Sequence, residues 1–587
     1  MKTSKSFDEN GATVDKTLQP SSQSDMDRAL AVLTTHKDVW AQMDIPGRIA
    51  LLDQIKQDLP MIEKRLIAAG LSARGASPGT MAEAEEWYTV TSIYRNIRFY
   101  RKALQDIGRF GKPQIPGKVA ARPNGQVVAQ VVPHDWKERL ALPGIRAEVW
   151  MDSAVSLLNG GVPQASFYRS HDRKGKVCLG LGAGNIGALV PGDFLYKLFA
   201  EGQVVAVKMH PVNEYLGPIF EDGFAALIKA GFLQILYGGV QQASYLINHP
   251  AVDTIHMTGS DRTFDAIVFG SGIEGKQRKQ THQPVLTKPF SAELGNISPV
   301  IVVPGPWTDK DIGSQSARLG SWLVPNAGHY CLTPRMIIQM KNWEQREKLN
   351  EGITSFLAGI KTRKAYYPGS LELHQQFVSA HPQALQLGEP EEGHLPWTFI
   401  PDVDSTNSDD ICFKREPFIS LYSETALEAN NVVEFIGKAV KFANERLWGT
   451  LVASIVVHPE SMKDPAVAAA VDQGIADLRY GSIVVNQWGG FAHYMTNTPW
   501  GAYPGSELHN VQSGIGFVNN PLMFDRVQKS VVYAPFAPLA DPFLANAVNG
   551  YLYFRQDTRY HFKPSIVNLL RLVFRAMTIK KDKTPGQ

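Results

Sequence analysis

Cysteine is scarce in this chain: Cys178, Cys331 and Cys412 are the only three among 587 residues. So few exclude a disulfide framework and suit a reducing compartment. Long apolar runs are missing, so no stretch reaches the length a bilayer-spanning helix needs. The first 25 residues are polar and lack the apolar core of a secretory signal. Charge of one sign is also lacking. A net charge of +3 is too small to draw nucleic acid, and no nucleic-acid partner is expected. Zinc-finger spacing, HExxH and a P-loop are absent, and no metal is expected. What is present is ordinary for a globular protein, 44% hydrophobic and 20% charged. The chain is too long for one core. The expectation is a soluble, cytoplasmic protein of several domains.

The polar residues 1–25 read as a disordered tail. Leu52, Ile55, Leu59, Ile62 and Leu66 share a helical face, with a break expected at Pro60. A second helical block covers 81–107. Both blocks read as packing helices without chemistry. Valines on either side of Pro123-Asn124-Gly125 predict a β-hairpin over 118–134. From 176 to 303, strands alternate with helices, one helix being expected over 215–230. This implies a parallel sheet, and ligands of such sheets sit at the carboxyl ends of the strands. Asn185, Lys208 and Gly259 fall there. Ser260 and Asp261 suit the start of a helix whose N-terminus favours phosphate. Lys276, Arg278 and Lys279 read as a solvated basic loop. A second α/β segment follows residue 294. Near the C-terminus, Ile566, Leu569, Leu570, Val573, Phe574 and Met577 share a helical face beside Arg571, Arg575, Lys580 and Lys581. Such a helix either rests on a membrane surface or docks on its own protein or a partner subunit.

Asn326-Ala327-Gly328-His329-Tyr330-Cys331 reads as a turn that delivers one thiol, followed by an apolar strand, Met336 to Met340. A thiol held between a turn and a strand is positioned as a nucleophile must be. An ordinary thiol has a pKa of about 8.5 and needs help to react at neutral pH.

Asn185, Lys208, Thr258-Gly259-Ser260, Glu293-Leu294-Gly295, Asn326-x-Gly-x-x-Cys331 and Glu416-x-Phe418, in that order, resemble the aldehyde dehydrogenase superfamily over roughly residues 26–525. The resemblance implies an α/β fold with a Rossmann-type cofactor domain (26–117 and 135–293) and an α/β catalytic domain (294–500). It further implies a β-hairpin oligomerisation element (118–134 with 501–535, the two parts pairing) and a homodimer or homotetramer. Residues 536–587 form an extension outside that core. By the resemblance, Cys331 attacks an aldehyde, Asn185 and the Cys331 backbone N–H hold the oxyanion, and Glu293 activates water. Gly259 and Ser260 abut the cofactor pyrophosphate. Lys208 and Glu416 bind its riboses, and Phe418 packs on its ring.

Several residues depart from the family pattern. Phe264 replaces a glycine of the pyrophosphate turn, so an altered seat is expected. Pro211 replaces a carboxylate that favours NAD, so NAD or NADP is admissible. Asn296 stands where a glycine is usual, Tyr330 narrows the substrate path, and the stretch from 270 to 290 is longer than usual. The expected reaction is NAD(P)-dependent oxidation of an aldehyde, possessing some hydrophobic character, to a carboxylic acid. The alternatives are a CoA-dependent acylating dehydrogenase or acyl-CoA reductase, and a non-catalytic binding or assembly protein of the same fold.

Overall fold

The computed structural model describes residues 6–7, 13–14, 18–158 and 161–582. Most of the tail expected over 1–25 therefore lies outside the described residues. Its last part is not a tail. The Ser21 N–H donates to Tyr237 O at 3.1 Å, and Ser22 and Asp25 form a capping box that starts the helix Gln23–Gln42. Pro60 breaks the next helical face as its missing N–H requires. Helix Ile45–Asp58 ends there in a short tight turn, and Glu63–Ala73 resumes the pattern.

The first sheet carries the candidate cofactor side. Its strands lie in the order 514–515, 290–293, 254–258, 177–181, 204–208, 233–236. All neighbours are parallel except the antiparallel 514–515 edge. The chain runs outward from Val177–Leu181 to one side, then returns to pair Thr254–Thr258 on its other side. The order therefore reverses between these two strands. A crevice opens at such a reversal, where Asn185 and Gly259 follow their strands. The helix expected over 215–230 is three short pieces, Glu214–Leu216, Gly217–Gly223 and Ala225–Lys229.

The second sheet has eleven strands in the order 385–387, 397–400, 421–427, 334–340, 298–302, 452–456, 482–485, 527–533, 146–151, 127–132, 119–121. Its centre is parallel and both sides end antiparallel. Central strands such as Ser298–Val302 and Val452–Val456 are buried throughout, which explains why they are apolar apart from one serine each. The hairpin at 119–132 forms, with Gly125 at φ +85° in its turn. Contrary to expectation, it does not pair directly with 527–533. Arg146–Met151 lies between them and bonds to both, an insertion hidden in a stretch without clear periodicity.

Two further expectations change. The basic stretch after Gly270 is a helix, Gly272–Gln280. Arg278 pairs with Glu274 at 3.0 Å and Lys279 with Asp265 at 2.6 Å. The C-terminal extension is docked. Helix Gly550–Phe562 packs along Met81–Phe110, with Thr558 and Thr91 hydroxyls 2.7 Å apart and Arg95 2.9 Å from His561 Nε2. The next helix, Ile566–Met577, buries only Leu569 and Leu572. Ile566, Val567, Leu570, Phe574 and Met577 stay exposed. Among the described residues, no helix is long and apolar enough to cross a membrane.

Candidate active site

The Cys331 turn is built from unusual backbone. Asn326, Ala327 and Gly328 have φ of 53°, 52° and 77° in succession. Asn tolerates this left-handed region; alanine there costs roughly 1–2 kcal/mol. Gly328 is required twice over, because a Cβ would sit 2.2 Å from Ile419 O. Surrounding side chains hold the strained turn. Glu85 accepts from the Asn326 N–H at 3.1 Å and pairs with Arg363. Arg335 donates to Gly328 O, Ile419 O (2.6 Å) and Tyr330 O (3.3 Å). The helix read as mere packing thus anchors the turn. Glu85 and Glu86, adjacent charges on a buried helix, were the available signal, as was Arg335 opening an apolar strand.

The turn faces a cleft of about 480 Å³ between the two sheets. Asn185, Gly259, Ser260, Glu293, Cys331, Glu416 and Phe418 all line it. Lys208 does not. It ends its strand nearby, and the His210 ring packs against Gly184 and stacks on Tyr367 at 6.1 Å. The Asn185 amide donates to His329 O at 3.0 Å, leaving its second hydrogen for a ligand. Asn185 is itself fixed through its carbonyl, which accepts from Asn326, Arg74 and Tyr366. Ser260 caps helix Asp261–Phe269, accepting from Thr263 N, and Gly259 N–H donates to Glu293 O at 3.1 Å. Phe418 packs edge-on against Tyr367 and His329 at 5.1 and 5.7 Å.

Electrostatics set the site apart. Burial pushes the Cys331 thiol well above its ordinary pKa, and the adjacent Glu293 carboxylate pushes further. Burial raises Glu293 to about 7, against hydrogen bonds from Cys331 and Trp500. Burial likewise raises Glu416 to about 8, opposed by Arg335, and its Oε1 has no hydrogen-bond partner. Burial lowers Lys208 to about 8. A carboxyl poised near neutrality beside a nucleophile-type side chain can take and return protons at working pH.

Residues 185–382 match the family model described as the aldehyde dehydrogenase family. Solved structures share the fold along nearly the whole chain. Aldehyde dehydrogenase C of Pseudomonas syringae, crystallised with NAD+ and octanal, is 15% identical and has a TM-score of 0.59, covering 92% of this chain and 97% of that one. The glyceraldehyde-3-phosphate dehydrogenase GapN of Methanocaldococcus jannaschii, complexed with NADP, is 15% identical with a TM-score of 0.58, covering 89% and 97%. Over residues 185–382 this chain is similar to the aldehyde dehydrogenase family, and along nearly its whole length it has the fold of aldehyde dehydrogenase structures. The aldehyde dehydrogenase LUC3 of a Fusarium species is 25% identical over 157 residues, 26% of this chain and 31% of that relative, so the match spans about a third of the relative's length.

Phe264 behaves differently from expectation. It is fully buried and stacks on Phe290 at 4.9 Å, and it does not line the cleft. The bulk went into the core because its helix face turns inward. Tyr330 stacks on Trp488 at 6.2 Å. Beyond it, Tyr88, Tyr330, Trp488, Phe543 and Phe554 enclose an apolar space of only about 20 Å³. Two of these rings, Phe543 and Phe554, come from the C-terminal extension, which adds them to the wall behind the cysteine turn.

Proposed function

We propose that this protein oxidises an aldehyde to a carboxylic acid with NAD or NADP. The observation that carries the reading is Cys331, Asn185 and Glu293 lining one cleft. In this reading Cys331 gives up its proton to water and attacks the carbonyl carbon, forming a thiohemiacetal. The Asn185 amide and the Cys331 N–H stabilise the developing oxyanion, each donor worth about 3 kcal/mol. A nicotinamide held in this cleft would supply the hydride acceptor needed to take the adduct to the thioester level. Glu293, once deprotonated, draws a proton from water, which attacks the thioester and frees the acid and the Cys331 thiol.

The residues present fit a nicotinamide cofactor. Glu416 has a buried oxygen without a partner, and the Phe418 and Tyr367 rings flank the same cleft. Glu416 and Phe418 would hold the nicotinamide riboside, Gly259 and Ser260 the pyrophosphate, and Lys208 the second ribose. Pro211 supplies no carboxylate to repel a 2′-phosphate, so both cofactors are admitted. Glu293 beside the sulfur favours hydrolysis over transfer to CoA.

The same reading includes assembly and location. The Val119–Ala121 strand leaves one side of the second sheet open, which supports pairing with a second copy in a homodimer or homotetramer. The exposed apolar row on Ile566–Met577, with Arg571, Arg575 and Lys580 alongside, suits an anionic membrane surface. The reaction is tested by following NAD and NADP reduction with a panel of aldehydes. Signal in the wild type that disappears in Cys331→Ala supports the dehydrogenase. Turnover that requires CoA would replace hydrolysis with acyl transfer. Silence with every aldehyde and cofactor would overturn the reading.

A further inference from the structure

A second buried cysteine stands in a cluster that the dehydrogenase chemistry does not use. His381 caps the C-terminal end of helix Ser370–Ala380. Asp410 caps the start of Ile411–Lys414, and Cys412 lies in its first turn. His381 and Cys412 are 4% and 2% exposed. His381 Nε2 lies 3.2 Å from Asp410 Oδ2 and 3.7 Å from Cys412 Sγ. One donor atom from each residue falls within 4.8 Å of the others.

The hydrogen bonds decide which atoms are free. His381 Nδ1 is 2.9 Å from Phe377 O. A carbonyl only accepts, so Nδ1 carries the proton, and in the neutral ring Nε2 presents a lone pair. Asp410 Oδ1 is taken by the Cys412 N–H at 2.8 Å, which leaves Oδ2. Three electron-pair donors thus converge, each anchored from behind as metal ligands commonly are. The spacing also fits. Bonds of about 2.0 Å to nitrogen and oxygen and about 2.3 Å to sulfur, at tetrahedral angles, put N and O about 3.3 Å apart and N and S about 3.6 Å apart. The observed 3.2 and 3.7 Å match those edges.

We propose that His381 Nε2, Asp410 Oδ2 and Cys412 Sγ bind one zinc ion, with water completing the tetrahedron on the partly exposed Asp410 side. Mixed N, O and S donors at this spacing select zinc over calcium or magnesium. The Cys412 thiol proton passes to solvent as the metal binds. The ion joins two segments of the cleft. The helix ending at His381 begins at Ser370, which lies 3.0 Å from His329 Nε2, and the segment after Cys412 carries Glu416 and Phe418. The role is a structural clamp, and it does not depend on the dehydrogenase reading.

The test uses the full chain dialysed against micromolar zinc and then against buffer, with metal measured per chain. About one zinc per chain is expected, retained in Cys331→Ala and lost in Cys412→Ser and His381→Gln, each checked for folding by circular dichroism. Zinc should raise the Tm of the wild type by a few degrees. Cobalt in the wild type, requiring no variant, should give a thiolate-to-metal charge-transfer band that zinc abolishes. Absence of bound zinc together with absence of the cobalt band overturns the site. So does zinc that survives Cys412→Ser or vanishes with Cys331→Ala.

Discussion

Cys331 and Cys412 are both buried, both beside a carboxylate, and both carry thiols that burial pushes upward. Around Cys331 there is a cleft, a spare amide hydrogen on Asn185, and a carboxyl raised to about 7. Around Cys412 there is no donor arrangement for a developing oxyanion. An imidazole nitrogen and a carboxylate oxygen instead point at one spot near the sulfur. Burial and a neighbouring acid therefore do not make a nucleophile. Access for a carbonyl, with donors waiting where its charge will develop, separates the first site from the second.

The comparison can be broken at several points. Glu293→Gln should carry the largest effect, a fall in steady-state turnover of roughly 10²–10⁴ with the thioester accumulating. The sign with pH follows from the carboxylate being the active form. Wild-type turnover should rise as pH passes about 7, and the variant should lose that rise. A wild-type profile flat from pH 5 to 9 would remove Glu293 as the base. Asn185→Ala should lower kcat by roughly 10²–10³ with little change in cofactor affinity. A loss confined to cofactor binding would move Asn185 out of the oxyanion role. Gly328→Ala should destabilise by about 2–3 kcal/mol, from strain at φ +77° and the clash with Ile419 O. Thermal unfolding measures it, and an unchanged Tm would mean the turn is not held as described. The smallest expected effect is Phe574→Glu. It should leave Tm within about 1 °C, since the side chain is exposed, while weakening sedimentation with phosphatidylserine vesicles. Equal sedimentation of both proteins would remove the membrane surface as the helix's partner.

Much of the fold and most of the site could be read from the sequence because both rest on local signals. Strands 177–181 and 204–208 are mostly apolar runs closed by Gly or Lys and 254–258 ends at Gly259, so Asn185 and Gly259 follow from where strands stop, while Cys331 follows from the Asn-x-Gly turn before it. What escaped depends on distant partners. Glu85 holds the cysteine turn from an element far away in sequence, and Arg335 ties that turn to the distant Ile419, and no local pattern announces either. Arg146–Met151 gains its place in the sheet only from its neighbours on both sides. Phe264 misled because its residue type suggested obstruction, whereas helix phase decides where the ring goes. His381 and Cys412 come together only through the fold, so their cluster had no sequence signature.

The central claim is that Cys331 carries the acyl group. The most direct test is to quench Glu293→Gln during reaction with an aldehyde and NAD or NADP, then locate added mass by peptide mass spectrometry. The account predicts an acyl adduct on the Cys331 peptide and none on those of Cys178 or Cys412. An adduct on either of the other two, or turnover without any adduct on Cys331, would contradict it.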